Sequence, residues 1–137
     1  MPVQLPGKSF TGTDFTPSLD WLLNQHTAEV KTVEIDVSFT GGETDSIVKS
    51  ALVLGIVTAT GRFKQYNDGA ADGTEVAAAV LLHPVYKKDV LGNAIVAPAF
   101  AAVVLRGRVD GAKLTGIDAA GRVDLKAQGF LFDDELP

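Results

Sequence analysis

Two histidines, His26 and His83, are the only side chains here with an ordinary pKa near neutrality, and the chain has no cysteine. Neither histidine lies near a serine, aspartate or second histidine at a spacing that suggests a catalytic triad or a metal site. His83 closes an apolar run and precedes Pro84, which suits a strand-end histidine with ordinary hydrogen bonds. Without cysteine there is no thiol nucleophile, no zinc knuckle and no disulfide framework. Asp68, Asp72 and Glu75 offer oxygen ligands, but their spacing misses the regular alternation of a calcium loop. No glycine-rich loop stands at a strand-to-helix junction, where phosphate would be bound. Arg106 and Arg108 have two readings, pairing with carboxylates of a neighbouring subunit or a solvated strand end, and the second is the plainer. The acidic end, Asp133-Asp134-Glu135, reads as a solvated terminus. The expectation is a protein with no catalytic residue, no metal and no cofactor.

The whole-chain properties point the same way. At 137 residues the chain makes one domain, able to bury about two-thirds of its unfolded surface. Seventeen acidic residues against twelve basic, a formal charge of −5, argue against gripping nucleic-acid phosphates, and no basic run does so locally. The N-terminus reads as neither signal peptide nor membrane anchor, and nothing approaches the ~20 apolar residues of a spanning helix. The chain therefore reads as soluble, with no nucleic acid and no membrane among its partners. The lack of cysteine fits a reducing cytoplasm.

The elements that must position any surface are mostly strands. Leu52, Val53, Leu54, Ile56 and Val57 form a nearly continuous apolar run. Ala59-Thr60-Gly61 turns it, and Arg62 to Tyr66 returns. Asn67 to Gly73 is a surface loop whose glycines supply positive φ. From Thr74, and almost purely apolar from Glu75 to His83, comes a further strand, buried on both sides or lining a small barrel. Earlier, Val33, Ile35, Val37 and Phe39 alternate with Glu34, Asp36, Ser38 and Thr40, so Glu29 to Thr40 predicts a half-buried strand ended by Gly41-Gly42. Pro84 to Asn93 reads as an exposed excursion, and Pro98 demotes Ala94 to Ala97 to an edge or short strand. Phe100 to Val109 is the last long strand, with Gly107 marking a bulge or barrel corner. Asp118 can cap a short helix to Ala127 that Gly129 stops, although Gly121 within it is a poor helix former. Phe130 to Phe132 predicts a closing strand.

Met1 to Pro17, rich in Pro, Gly, Thr and Ser, carries Val3, Leu5, Phe10 and Phe15 at intervals. Such an arm is either a floppy tail or a segment that orders when laid on a partner. Ser18 to His26 then opens a helix capped by Ser18 or runs as a short extended piece. Trp21, the only tryptophan, is either a plug closing the core or a contact hot spot.

The order VLGIVTATGRF, YNDGAADGTEVAAAVLLHPV and VVLRGRV resembles the head decoration proteins of tailed bacteriophages, the lambda-type capsid-stabilising family. The likeness is most specific over Val53 to Val85, where a strand, a T-x-T-G turn and a D-G-T-x-V-A join occur together. It extends through Val103 to Leu114. The resemblance implies an all-β fold, a small β-tulip-like barrel with at most one or two short helices and an extended N-terminal arm. It divides the chain into a capsid-binding arm, 1–28, and a barrel decoration domain, 29–137, and favours the extended form of Ser18 to His26. It implies a homotrimer on the outer surface of the virion, made in the host cytoplasm. There it would cement the expanded head by bridging major capsid protein subunits and perform no chemistry. Val3, Leu5, Phe10, Phe15, Trp21, Leu22 and Leu23 would then be the capsid contacts. The alternative is a small β-barrel ligand-binding or carrier module of a larger assembly, which would need a concave apolar pocket.

Overall fold

A computed structural model describes residues 20–24, 28–36, 47, 48, 50–86, 91, 93 and 99–135. Among these the strands are β1 (Glu29–Ile35), β2 (Ile47–Val48), β3 (Val53–Ile56), β4 (Phe63–Gln65), β5 (Ala79–Leu81), β6 (Val85–Tyr86), β7 (Ala99–Arg106), β8 (Arg108–Val109) and β9 (Leu131–Phe132), with one α-helix, α1 (Ala119–Gln128). Strands β1, β4, β3, β5 and β7 close a barrel in that order, while β2 pairs with β6 and β8 with β9. The fold is thus the expected all-β small barrel with a single short helix.

The near-continuous apolar runs have a physical cause, since successive side chains of a strand point to opposite faces and here both faces are covered. Leu54, Phe63, Ala79, Leu81, Val103 and Ile35 meet in one buried cluster, the barrel interior. Their sequence neighbours Val53, Val80 and Val104 belong to a second cluster with Leu125 of α1, Phe130, Phe132 and Trp21. This second layer lies between the barrel's outer face and the helix. Each such aliphatic or aromatic side chain, fully withdrawn from water, contributes roughly 1.5–3 kcal/mol.

The helix begins and ends as its sequence dictates. Asp118 accepts from the Gly121 N–H at 2.7 Å, and Gly129 takes the left-handed conformation at φ 116° while its N–H closes onto Leu125 and Lys126. Gly121 sits inside because a Cβ there would come within 3.1 Å of the Tyr66 ring. The corner at Gly107 is also present, between β7 and β8, closely packed by Asn24, Ala28 and Leu22.

One strand is shorter than its pattern predicts. The run from Thr74 to His83 pairs as a strand only at Ala79–Leu81. Thr74 and Glu75 form a turn, the Ala77 N–H is taken by the Asp124 carboxylate of α1 at 3.0 Å, and Gln128 donates to the Ala78 carbonyl. The helix thus takes backbone groups that a ladder would otherwise use. The alternating strand is described to Ile35, with Val33 and Ile35 packed inward as their spacing predicts. Its expected continuation, 37–40, and the segment 94–97 lie outside the described residues.

Candidate functional site

The surface predicted to touch a partner begins where the arm joins the body. Val3, Leu5, Phe10 and Phe15 lie outside the described residues, as does His26. Asp20 to Asn24 are knitted into the barrel. Leu22 bridges to Val109, the Leu23 N–H donates to the Arg108 carbonyl at 2.8 Å, and the Asp110 N–H donates to the Trp21 carbonyl at 2.8 Å. This described piece is a turn and a bridge, not a helix. Residues 21–23 of the expected arm thus pack and bond against the body.

Burial separates the three predicted contacts here. Trp21 is 1 % exposed and Leu22 is also buried, both in the layer beneath α1. Trp21 is the plug of its two readings, and neither side chain offers area to a partner in this fold. Leu23 differs, with 45 % of its surface exposed.

An open depression of about 430 Å³ is lined by Asn24, Glu29, Arg106, Gly107, Arg108, Gly129 and Leu131. The arginines are not free strand ends. Arg106 pairs with Glu29 at 3.4 Å, and Arg108 pairs with Asp133 through Nε at 2.9 Å and through its Nη2. These pairs are largely solvent-exposed, which limits their strength.

The acidic end is the clearest departure from the sequence reading, since it docks instead of extending into solvent. The Arg122 guanidinium donates to Glu135 at 2.7 Å and to Asp134 at 3.0 Å, and Lys126 pairs with Glu135. Asp134 also accepts from the Gly111 N–H at 3.0 Å, and Arg122 stands 5.0 Å from the centre of the buried Phe132 ring. The Asp134 carboxyl is held below its ordinary pKa chiefly by Arg122, and the Glu135 carboxyl by Lys126 and then Arg122. A legible signal was present: Arg122 and Lys126 share one helix face at i, i+4, a few residues before a run of three acids.

The carboxylates of the 67–75 loop are engaged internally. Asp72 accepts from the Thr74 hydroxyl at 2.5 Å and from its N–H at 3.1 Å, which lowers its pKa, and Glu75 accepts from the Gly73 N–H at 2.7 Å. Among the described residues no group of three or more His, Asp or Glu is placed to hold a metal ion. His83 stands exposed at a bend after β5. Among the described residues, the side chains that the barrel strands turn inward form one buried cluster. No described helix is long and apolar enough to cross a membrane.

What remains on the surface is a set of exposed apolar side chains held by a rigid frame. Phe100 is 73 % exposed on β7, and Val123 on α1, Leu131 on β9, Val76 and Leu91 are likewise open to solvent. Comparison with known protein families finds that a family model described as bacteriophage lambda head decoration protein D matches residues 19–130. No curated protein and no solved structure matches the chain significantly.

Proposed function

Because the chain belongs to the family of bacteriophage lambda head decoration protein D, we propose that it is a cement protein that binds the outside of the expanded phage head as a homotrimer. It stabilises the shell by bridging neighbouring major capsid protein subunits and carries out no catalysis. The observation that carries this reading is the family match from residue 19 to residue 130, which spans the barrel, the helix and most of the second core layer.

The physical requirements of a cement are a body that keeps its shape and several contacts whose weak affinities sum. Two buried layers give the body, and exposed Phe100, Val123 and Leu131 on three different elements give apolar anchors. In this reading the arm is the capsid-binding part, through Val3, Leu5, Phe10 and Phe15, with Leu23 continuing the contact at its root. Trp21 and Leu22 serve it indirectly by anchoring that root in the core.

The test is a binding assay of the purified protein on expanded and unexpanded heads, followed by image reconstruction of the decorated particles. Binding confined to expanded heads, with three copies about each local threefold axis, is expected. Isolated single copies would overturn the trimer, and equal binding to unexpanded heads would overturn the role in cementing the expanded shell.

A further inference from the structure

Strand β1 is seven residues long, and β7 pairs with it from Glu29 to Ile35. On its other side β4 meets it at one pair only, Ile35 with Phe63, because β4 has just three residues and is preceded by the turn that ends at Gly61. Alternate residues of a strand send their N–H and C=O groups to the same side. The Asp36 N–H donates to the Phe63 carbonyl at 2.8 Å, so the backbone groups of Val30 and Thr32 face the side that β4 does not reach. Among the described residues nothing pairs with them there. Among the described residues the barrel seam is therefore closed at Ile35 and open along the rest of β1. The side chains of Glu29 to Thr32 are exposed, and a side chain added at Gly61, beyond the end of β4, would meet no atom within 4 Å.

We infer that this free edge, Val30 to Glu34, takes up an extended segment of a capsid subunit as an added strand; the inference rests on the capsid reading above. Strand addition supplies affinity through main-chain hydrogen bonds and selectivity through alternate side chains. The charges of β1 indicate what the segment carries. Glu29 is matched by Arg106 at 3.4 Å and Glu34 by Arg62 at 3.9 Å, while Lys31 has no ion pair among the described residues. The segment places a carboxylate near Lys31 and an apolar side chain on the face shared by Val30 and the exposed Phe100. A second copy of β1 fits poorly. The full antiparallel register sets Thr32 of each copy opposite Thr32 of the other and brings the two Lys31 side chains diagonal, which is repulsive. Lysine on a free edge is also a common guard against self-pairing.

The deciding experiment is hydrogen exchange followed by mass spectrometry on peptides covering residues 29–35, for the full chain free and bound to expanded heads. Bound protein should exchange the Val30, Thr32 and Glu34 amides at least tenfold more slowly. Unchanged exchange in protein that does bind heads would overturn the inference and leave the capsid reading standing, whereas failure to bind heads would end both. Protection that arises with concentration, without heads, would assign the edge to a second copy and overturn the capsid segment as occupant. Thr32→Pro removes an edge donor without touching the ladder to β7 and should weaken head binding at least tenfold, as should Lys31→Glu, while Thr32→Val should bind as the natural chain does. Full affinity in a folded Thr32→Pro protein would also overturn the inference.

Discussion

The hydroxyl of Tyr66 donates to Asp118 Oδ1 at 2.8 Å, the same oxygen that accepts the Gly121 N–H and so caps α1. One carboxylate thus ties the strand leaving the barrel to the start of the helix that covers it, across 52 residues of sequence. Asp118→Ala should cost about 1–3 kcal/mol, because it removes the cap and leaves the hydroxyl of Tyr66, only 4 % exposed, without its acceptor. Tyr66→Phe keeps the cap and should cost about 0.5–1.5 kcal/mol. Urea denaturation of both single variants and the double variant measures the coupling, and additive losses would show that the two residues do not act together.

Stability should fall at both ends of the pH range, for separate reasons. The carboxyls of Asp118, Asp134 and Glu135 are held below their ordinary pKa by backbone, tyrosine, arginine and lysine donors. Their contribution is present above the unfolded values of about 4 and is lost as pH falls through the lower folded values. Tyr66 has the opposite sign. Burial, followed by the bond to Asp118, raises its pKa, so its contribution is present below about pH 10 and is lost as pH rises above that. Melting temperature recorded against pH should show a plateau with two falling arms. Tyr66→Phe should flatten the alkaline arm, and Asp134→Asn with Glu135→Gln the acid one.

Gly55 lies where β3 passes beneath the Thr74 turn, and a Cβ there would meet the Thr74 Cα at 2.7 Å and the Val76 carbonyl oxygen at 2.8 Å. Both obstacles are backbone atoms and cannot rotate aside. Gly55→Ala should therefore destabilise by about 1–3 kcal/mol or more through overpacking. Gly61→Ala, where φ is 73° but the space is open, should cost only about 1 kcal/mol from its backbone conformation. Thermal melts of the pair check the difference, and equal losses would show that the close crossing is not what constrains Gly55.

Deleting residues 2–17 should leave circular dichroism and melting temperature unchanged, because the root at Trp21 and Leu22 is retained in the core. Binding to expanded heads should be abolished or greatly weakened. Ordering each arm residue costs roughly 1–2 kcal/mol of backbone entropy, so a single arm binds weakly and three on one trimer compensate by high effective concentration. Full occupancy by the truncated protein would move the capsid contact onto the barrel.

The sequence by itself determined what local chemistry controls. Asp118 and Gly129 mark the helix because a cap needs a side-chain acceptor and a stop needs positive φ, and both act within a few residues. The nearly continuous apolar runs at Leu52 to Val57 and Glu75 to His83 announced strands, the second buried on both sides or lining a small barrel. Only the tertiary structure decided which covering each face received, since Val53 and Leu54 are equally apolar yet one packs beneath α1 and the other inside the barrel. It likewise buried Trp21 and Leu22 while leaving Leu23 outside, and drew Asp134 and Glu135 onto Arg122. Among the described residues it also left β1 meeting β4 at a single pair, because β4 is too short to run beside it. Each of these depends on which distant segment arrives opposite a residue, and the pairing of strands far apart in the chain is a property of the closed barrel as a whole.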